Sequence, residues 1–171
     1  PKGEVAARYD KIHMFDVDLP GGEVYHESRN YRPGSAAVVT TLPWTRLGMT
    51  VCYDVRFPSL FRALGQLDAQ VITVPSAFTK VTGRAHWSVL LRARAIETGA
   101  FVVAAAQVGR HPAKRETYGH SMVVGPWGEV LLDAGEAPGV YYADIDLAKV
   151  AAARAAIPAW TTSSDFALPG A

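Results

Sequence analysis

The chain has 171 residues, of which 49% are hydrophobic, and its 17 basic and 16 acidic side chains leave a formal net charge of +1. This length and apolar content predict one compact domain with a buried core and exclude a disordered chain. The near-zero charge argues against a nucleic-acid partner, and no apolar stretch is long enough to span a membrane. The single cysteine, Cys52, cannot form an intrachain disulfide, so we expect a reducing, cytoplasmic environment.

Short β-favouring runs, most of them bounded by Gly, Pro or Asn, predict the strands. In chain order the predicted strands are residues 5–9, 36–40, 46–53, 69–74, 100–106, 121–124, 129–133 and 140–146. The runs at 69–74 and 100–106 are continuously apolar, which is typical of strands buried on both faces of a sheet. Pro126, Trp127 and Gly128 predict the turn of a hairpin between the sixth and seventh strands.

Three helices alternate with these strands, at residues 56–66, 84–98 and 147–156. The first places Leu60, Phe61 and Leu64 on one apolar stripe, and the second stacks Trp87, Leu90, Leu91 and Ile96. Gly99 follows as a C-cap. The pattern predicts an α/β domain over residues 1–160, with helices covering a sheet, and a polar tail at 161–171.

The predicted strand at 46–53 brings the thiol of Cys52 to the strand end, just before a helix. The N-terminus of a helix offers free backbone N–H groups and the positive end of a dipole, which favour a thiolate and can bind an oxyanion. The alternative is a cysteine that packs as a small buried hydrophobe, although the polar residues Asp54 and Arg56 follow closely, where a core cysteine would have apolar neighbours.

A thiol nucleophile needs a base or a cation. Lys11 is one candidate, and a solvated surface charge is its alternative.

Arg56 lies about one helical turn after Cys52, so its guanidinium can reach a pocket beside the thiol and bind a substrate carboxylate. The alternative for Arg56 is a surface ion pair with an acid such as Asp54.

His13, Asp16 and Asp18 look like metal ligands, but strand alternation would send their side chains to opposite faces. We therefore expect no metal at these residues. No cofactor is expected either.

Several motifs in order resemble the nitrilase superfamily of carbon–nitrogen hydrolases. The main two are residues 9–16 (YDKIHMFD) and 48–58 (GMTVCYDVRFP). The others are PSAF at 75–78, GRAHW at 83–87, RARAIET at 92–98, YGHS at 118–121 and PWG at 126–128. Within the superfamily the chain resembles most the deaminated glutathione amidases, and next the omega-amidases, which act on 2-oxo acid amides.

The resemblance implies an α-β-β-α sandwich and a Glu–Lys–Cys catalytic set. Cys52 matches the nucleophile, Lys11 the lysine, and Glu27 a second glutamate that often lies beside them. A surface charge in a loop is the alternative for Glu27. Phe78 and Thr82 match positions that line the pocket in similar amidases. The general-base glutamate of the family lies upstream of this region, so we expect the N-terminal part of the sandwich to be absent from the sequence.

The expected reaction is hydrolysis of a small non-peptide amide through a thioester, with Lys11 and the backbone N–H of Tyr53 binding the oxyanion. The expected substrate is deaminated glutathione or a related 2-oxo acid amide, and the expected assembly is a homodimer. Two alternatives stay open. One is a non-catalytic interaction module that keeps the scaffold, and the other is a carbamoyl-amide hydrolase of the same superfamily.

Overall fold

The computed structural model describes residues 3–20, 22–112 and 115–162. The strands are β1 (Asp16–Asp18), β2 (Val24–His26), β3 (Val38–Thr41), β4 (Arg46–Met49), β5 (Val71–Thr73), β6 (Phe101–Ala104), β7 (Val108–Arg110), β8 (Glu116–Tyr118), β9 (Met122–Val124) and β10 (Val130–Asp133). The α-helices are α1 (Pro58–Gln66), α2 (Lys80–Thr98) and α3 (Ala148–Ala156), and two 3-10 helices span Glu27–Arg29 and Cys52–Arg56. Residues 163–171 of the predicted tail lie outside the described residues.

Six strands form one mixed sheet in the order β10-β9-β6-β5-β4-β3. Its centre is parallel, because β4 pairs with β5 and β5 with β6 in the same direction, while the outer pairs are antiparallel. Ile72 and Val102 are fully buried on one face of the sheet, and their neighbours Val71 and Phe101 are buried on the other. The continuously apolar runs therefore correctly predicted strands that are covered on both sides.

Helices α1 and α2 cover one face of this sheet. Leu60, Phe61 and Leu64 of α1 and Trp87 and Leu91 of α2 are buried in the core that contains Ile72 and Val102. The prediction that Ile96 belongs to the apolar stripe of α2 is wrong, because 53% of its surface is exposed. Gly99 caps α2 in the left-handed conformation (φ 57°), as predicted.

Helix α3 packs at the other face, where Val150 joins Val71 and Phe101 in a second apolar cluster. Arg154 holds this helix in place, because its guanidinium donates to the backbone oxygens of Thr98 (3.1 Å) and Ala69 (2.6 Å). The α/β class is confirmed. The described residues form one large sheet of the predicted α-β-β-α sandwich, with α1 and α2 on one face and α3 at the other. No helix among them is long and apolar enough to cross a bilayer.

Two predicted strands are wrong. Residues 5–9 and 140–146 have no ladder partner in the described part of the chain, and most of their side chains are exposed. The sequence analysis also missed two hairpins, β1–β2 and β7–β8, whose strands have three residues each. Strand preference depends on pairing and burial more than on the residues of the run itself, which accounts for both kinds of error.

The predicted hairpin turn at Pro126–Gly128 is confirmed, since β9 and β10 pair in antiparallel fashion around it. The predicted strand at 46–53 ends early, at Met49, because the chain then bends into the 3-10 helix Cys52–Arg56. Helix α2 begins at Lys80, before the predicted Arg84, and α1 begins at Pro58. These shifts place the cysteine in a tight helical turn instead of a strand.

Two helical glycines offer a matched test of this packing. A Cβ on Gly83 in α2 would collide with the ring of Tyr118, whereas a Cβ on Gly65 in α1 would lie 3.6 Å from Thr98 Cβ, an ordinary contact. We expect Gly83→Ala to lower the free energy of unfolding by about 1–3 kcal/mol through overpacking. Gly65→Ala should raise it by about 0.5–1 kcal/mol through helix preference. Urea unfolding of both variants measures this, and similar effects in both would contradict the packing described.

Candidate active site

A cavity of about 910 Å³ lies at the carboxyl ends of the three parallel strands. Its wall contains residues that directly follow β4, β5 and β6, together with the segments around Lys11 and Glu27. Of the sequence-predicted site residues, six line this cavity: Lys11, Glu27, Cys52, Tyr53, Phe78 and Thr82. The structure therefore brings together side chains from four separate parts of the chain.

Cys52 opens the 3-10 helix in a conformation that few side chains adopt. Its φ is +50°, in the left-handed region, which costs about 1–3 kcal/mol for a residue other than glycine. The Cys52 N–H donates to the Pro75 oxygen at 2.9 Å, so the turn is tied to the end of β5. The side chain is partly exposed and lines the cavity. The residue thus packs against the main apolar core on one side and faces the cavity on the other.

The buried carboxylate of Asp54 holds this turn. It is fully buried and accepts hydrogen bonds from the Val51 N–H (2.8 Å), the Tyr9 hydroxyl (2.7 Å) and both the backbone N–H (3.1 Å) and the ring Nδ1 (2.8 Å) of His13. Burial and this carboxylate raise the pKa of Tyr9 well above its usual value, so its hydroxyl remains a donor. Asp54 thus joins the residues on both sides of Lys11 to the cysteine turn.

Lys11 and Glu27 form an ion pair at the cavity wall. The Lys11 ammonium donates to Glu27 Oε2, and both side chains are largely buried, with 13% and 26% exposed. The same oxygen accepts the Phe15 N–H at 2.6 Å. Because Glu27 directly follows β2, the β1–β2 hairpin fixes its backbone. Neither residue is the solvated surface charge that the sequence left as an alternative.

Stacked rings reinforce the contact between the Lys11 segment and the cysteine turn. The His13 ring lies parallel to Phe57 with centroids 3.5 Å apart, and Phe15 meets the edge of Tyr53 at 5.0 Å. Tyr53 presents its backbone N–H in the first turn of the 3-10 helix, where such groups have no acceptor within the helix. This N–H is available to a ligand oxygen next to Cys52.

Arg56 is not among the residues that line the cavity, although its guanidinium lies within 6.0 Å of the ring centroids of two residues that do, Tyr53 and Phe78. Its guanidinium lies 5.2 Å from the Phe78 ring centroid and contacts His86 Nδ1 at 3.3 Å, not the carboxylate of Asp54. Burial lowers the pKa of Arg56, and the neighbouring Tyr53 and Cys52 groups oppose that shift. Thr82 shares a hydrogen bond of 2.7 Å with Thr79.

The residues suggested for a metal have separate protein partners. His13 contacts Asp54, and Asp16 accepts the Ser28 N–H at 3.0 Å. Hydrogen bonds from the side chain and then the backbone of Ser28 lower the pKa of Asp16. In the part of the chain that the structure describes, no three His, Cys, Asp or Glu side chains form a metal-binding group.

Sequence reasoning missed four residues of the site: Tyr9, His13, Asp54 and Arg115. The role of Asp54 could have been predicted, since a carboxylate in the first turn of a helix commonly binds free backbone N–H groups. Tyr9 and His13 flank Lys11 in the printed sequence, but nothing there shows that both face a carboxylate far along the chain. Arg115 lies in a stretch to which the sequence analysis assigned no helix or strand, and only the tertiary structure brings it to the cavity.

The Asp54 contacts generate a prediction. Tyr9→Phe removes one donor from a buried carboxylate, so we expect the free energy of unfolding to fall by about 1–3 kcal/mol. We also expect the rate of Cys52 alkylation by iodoacetamide to change, because the Asp54 carboxylate holds the turn that carries the thiol. Tyr142→Phe is the matched control, since 87% of Tyr142 is exposed. Equal stability and alkylation rates in the two variants would contradict the role given to Asp54.

Comparison with known proteins agrees with this geometry. The profile of the carbon-nitrogen hydrolase family matches residues 1–155. The deaminated glutathione amidase of Yersinia enterocolitica is 59% identical over 132 residues, which are 76% of this chain and 46% of that protein. The chain thus spans about half the length of the curated relatives it matches.

Two solved structures share the fold. The NitFhit protein of C. elegans superposes with a TM-score of 0.80 at 44% identity, over 92% of this chain and 39% of that one. A variant of the amidase from Nesterenkonia sp. AN1 has a TM-score of 0.74 at 32% identity, over 86% of this chain and 53% of that one, and carries the acetamide moiety of fluoroacetamide on its active-site cysteine. The chain belongs to the carbon-nitrogen hydrolase family, within the nitrilase superfamily that its motifs resemble.

Proposed function

We propose that this protein is an amidase in which Cys52 attacks the carbonyl carbon of a small, non-peptide amide. The observation that carries the proposal is the shared cavity: an accessible thiol at the end of a parallel strand, with the buried Lys11–Glu27 ion pair on the same wall. A free thiol is only a few per cent ionised at neutral pH. The thiolate is the reactive form, and the proposal assigns its stabilisation to Lys11, which lines the same cavity.

The first half-reaction forms a thioester. The Cys52 sulfur bonds to the amide carbon, and the carbonyl electron pair moves to the oxygen to give a tetrahedral oxyanion. Lys11 and the Tyr53 N–H bind this oxyanion, which carries more charge than the substrate carbonyl and is therefore bound more strongly. When the C–N bond breaks, the amine takes a proton from a general acid, a role for which the resemblance implies a further glutamate.

The second half-reaction returns the free enzyme. Water loses a proton to the same carboxylate, now acting as base, and attacks the thioester carbon to form a second tetrahedral oxyanion at the same position. Its collapse breaks the C–S bond, releases the acid and restores the Cys52 thiolate. Glu27 takes no proton in this scheme. It fixes the Lys11 ammonium, because its Oε2 is held by both Lys11 and the Phe15 N–H.

The proposed substrate is deaminated glutathione or a related 2-oxo acid amide. The name of the Yersinia relative supports this substrate, since 59% of the aligned residues are identical. Phe78 and Thr82 line the pocket, and we assign the carboxylate beside the oxo group to Arg56, whose guanidinium lies against the Phe78 ring. A carboxylate bound by a planar guanidinium has a fixed orientation, which would align the amide with the thiol.

The proposal includes a homodimer in the cytoplasm. Helix α2 carries exposed apolar side chains at Val89, of which 67% is exposed, and at Ile96. A second copy of the chain would remove this apolar surface from water.

The nucleophile assignment has a direct test. In the full-length protein, Cys52→Ala should abolish amide hydrolysis and leave the unfolding midpoint close to that of the wild type, because the thiol is partly exposed. Iodoacetamide should add once, since the chain has one cysteine, and substrate should slow the addition. Slow labelling that ignores substrate would favour the interaction module, and normal ammonia release by Cys52→Ala would refute the assignment.

Glu27 has a matched test of its own. Glu27→Gln removes the negative charge next to Lys11, so we expect activity to fall about 10²-fold or more while stability changes little. Glu97→Gln is the control, because Glu97 pairs with Arg94 on α2, away from the cavity. Steady-state kinetics and thermal unfolding of both variants separate the two roles. A loss of stability that matches the loss of activity would assign Glu27 to structure alone.

A further inference from the structure

We propose that Arg115 binds a second carboxylate of the substrate, carried by the leaving amine, so that the cavity selects amides with one carboxylate on each side of the scissile bond. This inference rests on the proposed function and adds to it a residue that determines specificity. Arg115 immediately precedes β8 and lines the same cavity as Cys52, Lys11 and Glu27.

Two contacts fix the Arg115 guanidinium at the cavity wall. Its Nη2 donates to the Ala77 backbone oxygen at 3.1 Å, and its Cζ lies 5.8 Å from the centroid of the Tyr25 ring. Ala77 and Tyr25 are themselves lining residues. The group is therefore positioned before any ligand arrives, which reduces the conformational entropy lost when a ligand binds.

The donors of Arg115 are not all satisfied. Its Nε is buried, and within the described residues it has no hydrogen-bond partner. The adjacent carboxylate of Glu116 lies 2.8 Å from Arg110 and 3.5 Å from Lys80 instead. A guanidinium has five N–H donors, and burying one without an acceptor costs free energy. Of its four Nη N–H groups only one is bound by another described residue, at the Ala77 oxygen, and a carboxylate in the cavity can accept two of the others, which makes it the fitting ligand.

The charge balance of the cavity supports an anion at this position. The Lys11 ammonium is compensated by Glu27, whereas the salt bridges among the described residues include none to Arg115. Arg115 thus brings to the cavity wall a positive charge that no ion pair among the described residues neutralises, and an anionic ligand would be attracted to it.

The position of Arg115 indicates the leaving-amine side of the substrate. Val24 and Tyr31 line the cavity with 55% and 65% of their surface exposed, so they mark its mouth. Tyr25, on which Arg115 stacks, follows Val24 directly. The acyl group stays on Cys52 during the reaction while the amine leaves through the mouth, so a tail on the amine passes this wall. A volume of about 910 Å³ also exceeds what a simple primary amide needs.

The experiment compares two substrates that differ by one charge: deaminated glutathione, and the same compound with its glycine carboxylate converted to a carboxamide. In the full-length protein, Arg115→Gln should lower kcat/KM for the first by about 10- to 100-fold, mainly through KM, because charge-assisted hydrogen bonds are lost. It should leave kcat/KM for the carboxamide unchanged. Arg110→Gln removes the same charge from an exposed side chain outside the cavity and should change neither.

The outcomes separate this inference from the function on which it rests. Equal losses on both substrates, or no loss on either, would overturn the second carboxylate site while the wild type remained an amidase. A wild type that hydrolyses neither compound, with Cys52 alkylation unaffected by both, would overturn the proposed function and this inference together. Arg115→Lys keeps the charge but loses the paired donors, so an intermediate effect is expected, and it tests the site if Arg115→Gln does not fold.

Discussion

The candidate active site depends on one buried group, the carboxylate of Asp54. A buried carboxylate is stable only when its oxygens are matched by donors, and here Val51, Tyr9 and His13 supply them. Two of these residues come from the segment that carries Lys11, and the third precedes Cys52. The same set of hydrogen bonds therefore compensates the buried charge and joins the two parts of the site.

The sheet gives this arrangement its rigidity. β4 and β5 are parallel neighbours, so their carboxyl ends deliver Cys52 and Pro75 to the same edge, where the Cys52 N–H reaches the Pro75 oxygen. The unfavourable φ of Cys52 is maintained because this bond and the contacts of Asp54 together determine the path of the turn. The strained turn at Cys52 is thus held by a core whose stability comes mainly from the packing of α1 and α2 on the sheet.

The two cationic groups in the cavity wall differ in their surroundings, and this difference suits them to different tasks. Lys11 is paired with Glu27, so the ammonium is fixed and its field is balanced until an oxyanion forms nearby. Arg115 is fixed by a backbone oxygen and an aromatic ring, which leave its charge uncompensated. In the proposed function, these surroundings suit Lys11 to charge that develops during the reaction and Arg115 to a permanent charge on the substrate.

The sequence by itself determined the central strands, α1 and the packed part of α2, because apolar periodicity is a local property. Its ordered motifs also led to Cys52, Lys11 and Glu27 as candidates, and the structure brings these three residues to one cavity. The sequence wrongly predicted strands at residues 5–9 and 140–146, because their side chains favour β-structure but the segments pair with no other strand in the described chain. Nor could it identify Asp54 as the link to Tyr9 and His13, or bring Arg115 to the cavity. Only the tertiary structure decided those contacts, since a buried charge takes its donors from whatever the fold places around it, however distant along the chain.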